Sequence, residues 1–173
     1  MGRSLVPPKN DKAKDLVWTP RPLAQAIVEY FEVDDDCLDP CLGDWNSFYD
    51  AMCEVGLLPE WCEISAGVDF YDYHKSVTWI CTNPPYSDLL RFMRHCFRVA
   101  DNVVLLIQPP SVWFTAKRDL ALKYKMGLRE IRYYDIPKHW TSFGTGIAAV
   151  YWQRNYEGDV KVTDARMFDK CPW

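Results

Sequence analysis

Residues 77–82 read Val-Thr-Trp-Ile-Cys-Thr, and Asn83-Pro84-Pro85-Tyr86 follows without a break. The first run is apolar and rich in β-branched residues, which predicts a buried strand. The two prolines stop it, because neither can donate a hydrogen bond to a sheet ladder. Each proline also pushes the residue before it out of the helical region, so Asn83 and Pro84 are expected to be extended. The product is a stiff, exposed rim at the carboxyl end of a strand, where open α/β sheets bind their ligands. An isolated Pro-Pro is more often just a strand-to-helix connection. The weight therefore rests on what surrounds it.

The surroundings alternate between strand and helix. Pro22 suits the first turn of a helix that carries Leu23, Ala26, Ile27 and Tyr30. Cys37-Leu38 reads as a short strand ending at Asp39-Pro40, with a Gly-Asp turn at 43–44. Asn46-Ser47 then caps a helix closed by Gly56. Trp61 to Ile64 is predicted as a second strand ending in Glu63, and Val68-Asp69-Phe70 as a brief third strand or a turn. After the NPPY segment come a helix to about Ala100, a strand over 102–108 and a helix from about Val112 to Lys125. Two more strands, 129–136 and 147–154, close the pattern. This alternation, ending in two strands with no helix between them, predicts one α/β domain with a mostly parallel sheet. Residues 1–15 are expected to form a flexible N-terminal tail, 16–156 the domain and 157–173 a C-terminal tail.

A chain of 173 residues with 49% apolar side chains can bury one proper core. No stretch approaches 18 uninterrupted apolar residues, which argues against a membrane-spanning helix. The first 15 residues lack the apolar centre of a signal peptide. The seven cysteines are odd in number and lack CxxC spacing, so reduced core thiols in a cytoplasmic protein are expected. Three histidines without ligand spacing make zinc improbable, and no metal is expected. The net charge of −4 hides an asymmetry. Glu29 to Asp72 holds 13 acidic residues and no Lys or Arg, while Leu89 to Lys138 holds ten Lys or Arg against four acids. One region suits a cationic ligand and another suits phosphates.

Four features fall at successive strand ends: Asp39-Pro40-Cys41-Leu42-Gly43, Glu63, Asp69-Phe70 and Asn83 to Tyr86. A carboxylate after the second strand is the usual partner of ribose hydroxyls in nucleotide-binding sheets. With Thr19-Pro20-Arg21-Pro22-Leu23-Ala24 placed before them, these segments resemble the S-adenosylmethionine-dependent amino-methyltransferases, in particular the DNA adenine-N6 methyltransferases. The resemblance runs from about Trp18 to Trp152 and rests on five pieces in order. It implies a single Rossmann-like methyltransferase domain. Its sheet would have seven strands, mostly parallel with a C-terminal antiparallel strand, and helices on both faces.

The resemblance also implies roles. Thr19, Pro20, Asp39, Pro40 and Gly43 would lie near the methionine moiety of S-adenosylmethionine, Glu63 and Ile64 at its ribose, and Asp69 with Phe70 at its adenine. Asn83, Pro84, Pro85 and Tyr86 would form the catalytic segment, with Asn83 also touching the cofactor. The Asn83 side-chain oxygen and the Pro84 carbonyl would each accept one N–H of the target amine, and Tyr86 would stack on a base swung out of the DNA duplex. Arg91, Arg94, Lys117 and Arg118 are expected to face phosphates, and Phe143 to cover the other face of the base. A bacterial or phage-infected cell is the expected setting.

Two departures stand out. The family has a small residue two places after Gly43, where this chain has Trp45. Three placements are open to that indole: outward, along the pocket wall, or across the pocket. About twenty residues follow the last expected strand, which leaves no room for a target-recognition domain. Low specificity, a partner or second copy that reads the sequence, or a substrate other than duplex DNA would each account for that. RNA bases and protein glutamines offer the same planar nitrogen, and a non-catalytic methyltransferase-like binding subunit is the alternative of another class.

Overall fold

A computed structural model describes residues 17–135 and 146–165. Seven strands form one sheet: β1 (Cys37–Asp39), β2 (Glu60–Trp61), β3 (Val77–Thr82), β4 (Ala100–Ile107), β5 (Met126–Tyr134), β6 (Ile147–Arg154) and β7 (Lys161–Asp164). Their order across the sheet is β2-β1-β3-β4-β6-β5-β7. Only β6 runs antiparallel to its neighbours, pairing with β4 on one side and β5 on the other. The other neighbouring pairs are parallel. Among the described residues four helices accompany the sheet: α1 (Arg21–Tyr30), α2 (Ser47–Glu54), α3 (Leu89–Val99) and α4 (Thr115–Lys123).

Period-two alternation along the central strands builds a core on each side. Val103, Leu105 and Ile107 of β4, with Ala148, Val150 and Trp152 of β6, pack against Phe92, Met93, Cys96 and Phe97 of α3 and Leu120 of α4. Val104 and Leu106 of β4, with Ile147, Ala149 and Tyr151 of β6, pack against Leu23 and Ile27 of α1 and Phe48 and Met52 of α2. Both faces are thus covered, as a mostly parallel sheet requires.

The count of seven strands agrees with expectation, but its membership differs. Val68 only bridges to Glu63, and Phe70–Asp72 is a 3₁₀ turn, so the expected brief third strand is a turn. Asp69 causes this locally: its carboxylate accepts the Tyr71 N–H at 2.9 Å, which caps the turn instead of extending the chain. The seventh strand comes from residues expected to be a tail. Lys161–Asp164 pairs with the outer edge of β5, where buried Glu130 accepts hydrogen bonds from Tyr30 and Thr163, both at 2.7 Å. The expected helix from Val112 to Lys125 is also divided. Pro109–Trp113 is a 3₁₀ turn, Phe114 is extended, and α4 begins at Thr115. Among the described residues six cysteines are unpaired, and no helix is long and apolar enough to cross a membrane.

Candidate active site

The parallel strands β1 and β3 end side by side at Asp39 and Thr82, so their following loops share one rim. A cavity of about 420 Å³ opens there between the loop after β1, the turn at Glu63 to Ser65, the segment before α1 and the NPPY rim. Thr19, Asp39, Gly43, Glu63, Ile64 and Asn83 all line it, as does Pro85. The lining carries three carboxylates, Asp39, Asp44 and Glu63, and no basic side chain. Its electrostatics suit a cation.

Asp39 is 1% exposed. Its Oδ1 accepts the Thr82 hydroxyl at 2.7 Å and the Cys41 N–H at 3.2 Å. Its Oδ2 has no partner. Burial pushes this carboxyl up to about 6, and the hydrogen bonds from Thr82 and Cys41 only partly offset that. The Tyr49 amide also lowers it, without closing a hydrogen bond to Oδ2. The buried Thr19 Oγ1 is likewise unpartnered, although the Thr19 carbonyl accepts the Ser47 hydroxyl at 2.6 Å. Unpartnered buried polar atoms are uncommon in native proteins. Two of them on the wall of one acidic cavity suit a ligand that brings hydrogen-bond donors.

Glu63 holds the facing loop in shape. Its Oε2 accepts the Gly43 N–H at 2.9 Å, and its Oε1 accepts the Ser65 amide and hydroxyl at 2.9 and 2.7 Å. Burial raises the Glu63 carboxyl, but the hydrogen bonds from Ser65 and Gly43 outweigh it and hold the group below its ordinary value. Gly43 sits at φ +60°, in the left-handed region that glycine adopts without a steric cost. Trp45 lines the wall of the cavity and stacks on Trp18, with ring centroids 5.9 Å apart and planes 20° from parallel. Of the three placements open to it, the indole takes the wall.

At the NPPY rim, Asn83 Nδ2 donates to the Val17 carbonyl at 2.8 Å, which fixes the side-chain amide and turns Oδ1 the other way. The Tyr86 hydroxyl lies 2.6 Å from Asn83 Oδ1 and 3.1 Å from the Leu106 carbonyl, two acceptors for one phenolic proton. The Tyr86 ring packs part-buried against the core on the α3 side. Pro84 is buried, while Pro20 caps α1 and Pro40 is buried behind the loop after β1. None of these three lines the cavity.

Asp69 and Phe70 are not brought to the cavity either. Asp69 caps its own turn, and Phe70, 5% exposed, meets the His95 ring edge-on at 4.5 Å and the Phe92 ring at 5.0 Å. Arg91 and Arg94 lie exposed on α3, and Arg118 lies exposed on α4 beside the half-buried Lys117. Phe143 is outside the described residues. Sequence reasoning gave no place at the site to Trp18, Ser47, Ser65 or Thr82. Thr82 was legible in principle, since a polar residue closing an apolar strand needs a buried partner. Among the described residues no group of three or more His, Cys, Asp or Glu could hold a metal ion.

The α/β sheet with one antiparallel strand beside its centre is a fold shared with solved S-adenosylmethionine-dependent methyltransferases. The chain is similar to a Listeria monocytogenes protein assigned to the class I S-adenosylmethionine-dependent methyltransferases. That match has 10% identity and TM-score 0.67, covering 87% of this chain and 66% of the other. It is similar to the M protein of the type I restriction enzyme EcoKI (EC 2.1.1.72), at 11% identity and TM-score 0.52 over 79% and 44% of the two chains. It is also similar to TrmN from Thermus thermophilus, at 17% identity and TM-score 0.56 over 78% and 48%. The chain thus spans less than two thirds of each of these proteins. No protein-family model and no curated protein matches it.

Proposed function

We propose that the protein transfers a methyl group from S-adenosylmethionine to an exocyclic amino nitrogen, N6 of adenine in DNA being the favoured target. The observation that carries this reading is the pair of unpartnered polar atoms, Thr19 Oγ1 and Asp39 Oδ2, in an acidic cavity that Asn83 also lines. Asp39 Oδ2 would accept from the cofactor's ammonium group and Thr19 would hold its methionine end. Glu63 would take the ribose hydroxyls. Exposed Ile64 is the side chain at the cavity available to cover the purine, in place of Phe70. The two indoles would wall the cationic centre with their π faces. When bound, the cofactor supplies an electrophilic methyl group on its sulfonium.

The remaining work falls to the rim. An exocyclic amine is a weak nucleophile because its lone pair is delocalised into the ring. Asn83 Oδ1 and the Pro84 carbonyl would each accept one N–H, which favours a tetrahedral nitrogen with its lone pair free. The Tyr86 proton can turn to the Leu106 carbonyl and release Asn83 Oδ1 for this. The methylated ammonium then loses its proton readily, so no strong base is needed beforehand.

The choice of DNA is supported by the likeness to the EcoKI M protein and by the basic residues of α3 and α4. On this reading the partner is duplex DNA with a flipped adenine, and a separate specificity subunit or a second copy supplies sequence readout. The second reading, a non-catalytic methyltransferase-like subunit, is favoured by the Tyr86 hydroxyl on Asn83 Oδ1. Calorimetric titration with S-adenosylmethionine, followed by transfer of labelled methyl groups to DNA, RNA and glutamine peptides, separates the two. Cofactor binding with transfer to DNA, abolished by Asn83→Ala, is expected. Cofactor binding without transfer to any substrate would favour the binding subunit, and no cofactor binding would overturn the methyltransferase reading and leave the binding subunit.

A further inference from the structure

A second concavity, of about 250 Å³, lies beside α3 and shares no residue with the acidic cavity. It is lined by Tyr71, Arg91, Arg94, His95, Arg98 and Tyr124. The three arginines stand at i, i+3 and i+7 on one face of the helix, a rise of about 10 Å from first to last. Each guanidinium is differently held. Arg91 lies over the Tyr71 ring at 3.8 Å, with Asp88 Oδ2 at 3.5 Å. Arg98 donates to Nδ1 of His95 at 2.9 Å, and that imidazole passes its Nε2 proton to the Tyr73 carbonyl at 2.9 Å. Arg94 has neither a hydrogen bond nor an ion pair among the described residues. The pocket walls thus present three guanidinium groups, and among the described residues Asp88 is the one carboxylate paired to them.

This is an arrangement for anions. A guanidinium stacked on an aromatic ring, or fixed by a neutral imidazole, loses little freedom when it binds, and its planar fork matches two oxygens at once. The bland account of arginines on a helix is a solvated face, but that account does not predict a concave site with tyrosines at its sides and buried His95 in its wall.

We propose that this groove is a phosphate-binding site, separate from the acidic cavity and independent of whether methyl transfer occurs. The phosphate could belong to a nucleic-acid backbone or to a small phosphorylated molecule. The test uses the full chain, with a labelled 12-nucleotide single strand followed by fluorescence anisotropy and pyrophosphate followed by calorimetry. Arg94→Gln is the first variant, because Arg94 is exposed and supports nothing else. Arg91→Gln is the second. Lys75→Gln, an exposed cation paired with Glu60 elsewhere, makes the same charge change as a control.

A backbone site predicts that Arg94→Gln weakens the oligonucleotide several-fold and lowers the slope of log K against log salt by about 0.7, while Lys75→Gln leaves both unchanged. A small-molecule site predicts the loss for pyrophosphate alone. Wild type and both arginine variants binding both ligands equally, or wild type binding neither, would overturn the proposal. S-adenosylmethionine titrated into the same samples keeps the two readings apart. Its failure to bind with phosphate binding intact removes the methyltransferase and leaves the groove.

Discussion

Asp39→Asn tests the reasoning about the acidic cavity most directly. Asp39 is buried, and one of its oxygens is unpartnered. Its carboxyl is raised from 3.8 to about 6 by that burial. In the unfolded chain the group ionises near its ordinary value, so between about pH 4 and pH 6 the folded protein holds a proton that the unfolded chain has lost. Stability therefore falls as pH rises through this window. At 1.36 kcal/mol per pKa unit, the ionised carboxylate costs the fold about 3 kcal/mol above pH 6 and nothing below pH 4.

Asparagine keeps an acceptor for Thr82 and Cys41 but places an amide N–H₂ where Oδ2 stands. Leaving that group unpartnered costs about 1–3 kcal/mol at every pH. The pH dependence is therefore the cleaner signature. Urea unfolding of both proteins from pH 4.5 to pH 8 should show Asp39→Asn gaining on wild type by about 2 kcal/mol across the series. The same variant should lose S-adenosylmethionine binding, because the anion that meets the ammonium is gone. A difference in stability that stays flat with pH would refute the account of a buried, costly carboxylate. Unchanged cofactor affinity would refute its role in binding.

Three further outcomes are expected. Gly43→Ala should cost about 1–2 kcal/mol in urea unfolding from the left-handed backbone alone, since the nearest atom to an added Cβ is the Cys41 carbonyl oxygen at 3.9 Å; a variant as stable as wild type would contradict this. Trp45→Gly should weaken S-adenosylmethionine roughly 2- to 30-fold, the range of a lost cation–π contact; tighter binding in calorimetry would show that the indole obstructs the cavity. Tyr86→Phe should destabilise the protein by about 1 kcal/mol and change kcat less than about tenfold, because the Val17 carbonyl still orients Asn83. A loss as deep as that of Asn83→Ala would place the hydroxyl in the chemistry itself.

The central strands were legible because their pattern and their physics coincide. Val77 to Thr82 is mostly apolar and is buried at every position but Thr78, and the prolines that follow stop it where the structure ends β3. Asp39, Gly43, Glu63 and Asn83 were found at successive strand ends and through the family resemblance, and the structure brings them to one cavity. Phe70 shows the limit. The resemblance placed it with Asp69 at the adenine but said nothing of the ring's direction, and the ring packs against Phe92 and His95 instead. β7 was missed for a similar reason. Lys161 to Asp164 is a mostly polar, short segment whose strand state depends on the open edge of β5 and on Glu130, about thirty residues earlier in the chain. The Trp18–Trp45 stack joins residues from separate segments, and no local signal announces such a pair.

The place of β6 between β4 and β5 also bears on how the chain is made. Residues 100–107 leave the ribosome well before residues 147–154, and their far edge has no partner until the later segment arrives. At about 5–20 residues per second that interval is about 2–10 s. During it, the longest stretch of fully buried β4, Val103 to Ile107, is covered along one side only, by β3. A nascent chain of this topology is open to wrong pairing for seconds. Synthesis at high temperature or from a strong promoter should deposit it in inclusion bodies unless a chaperone shields that edge.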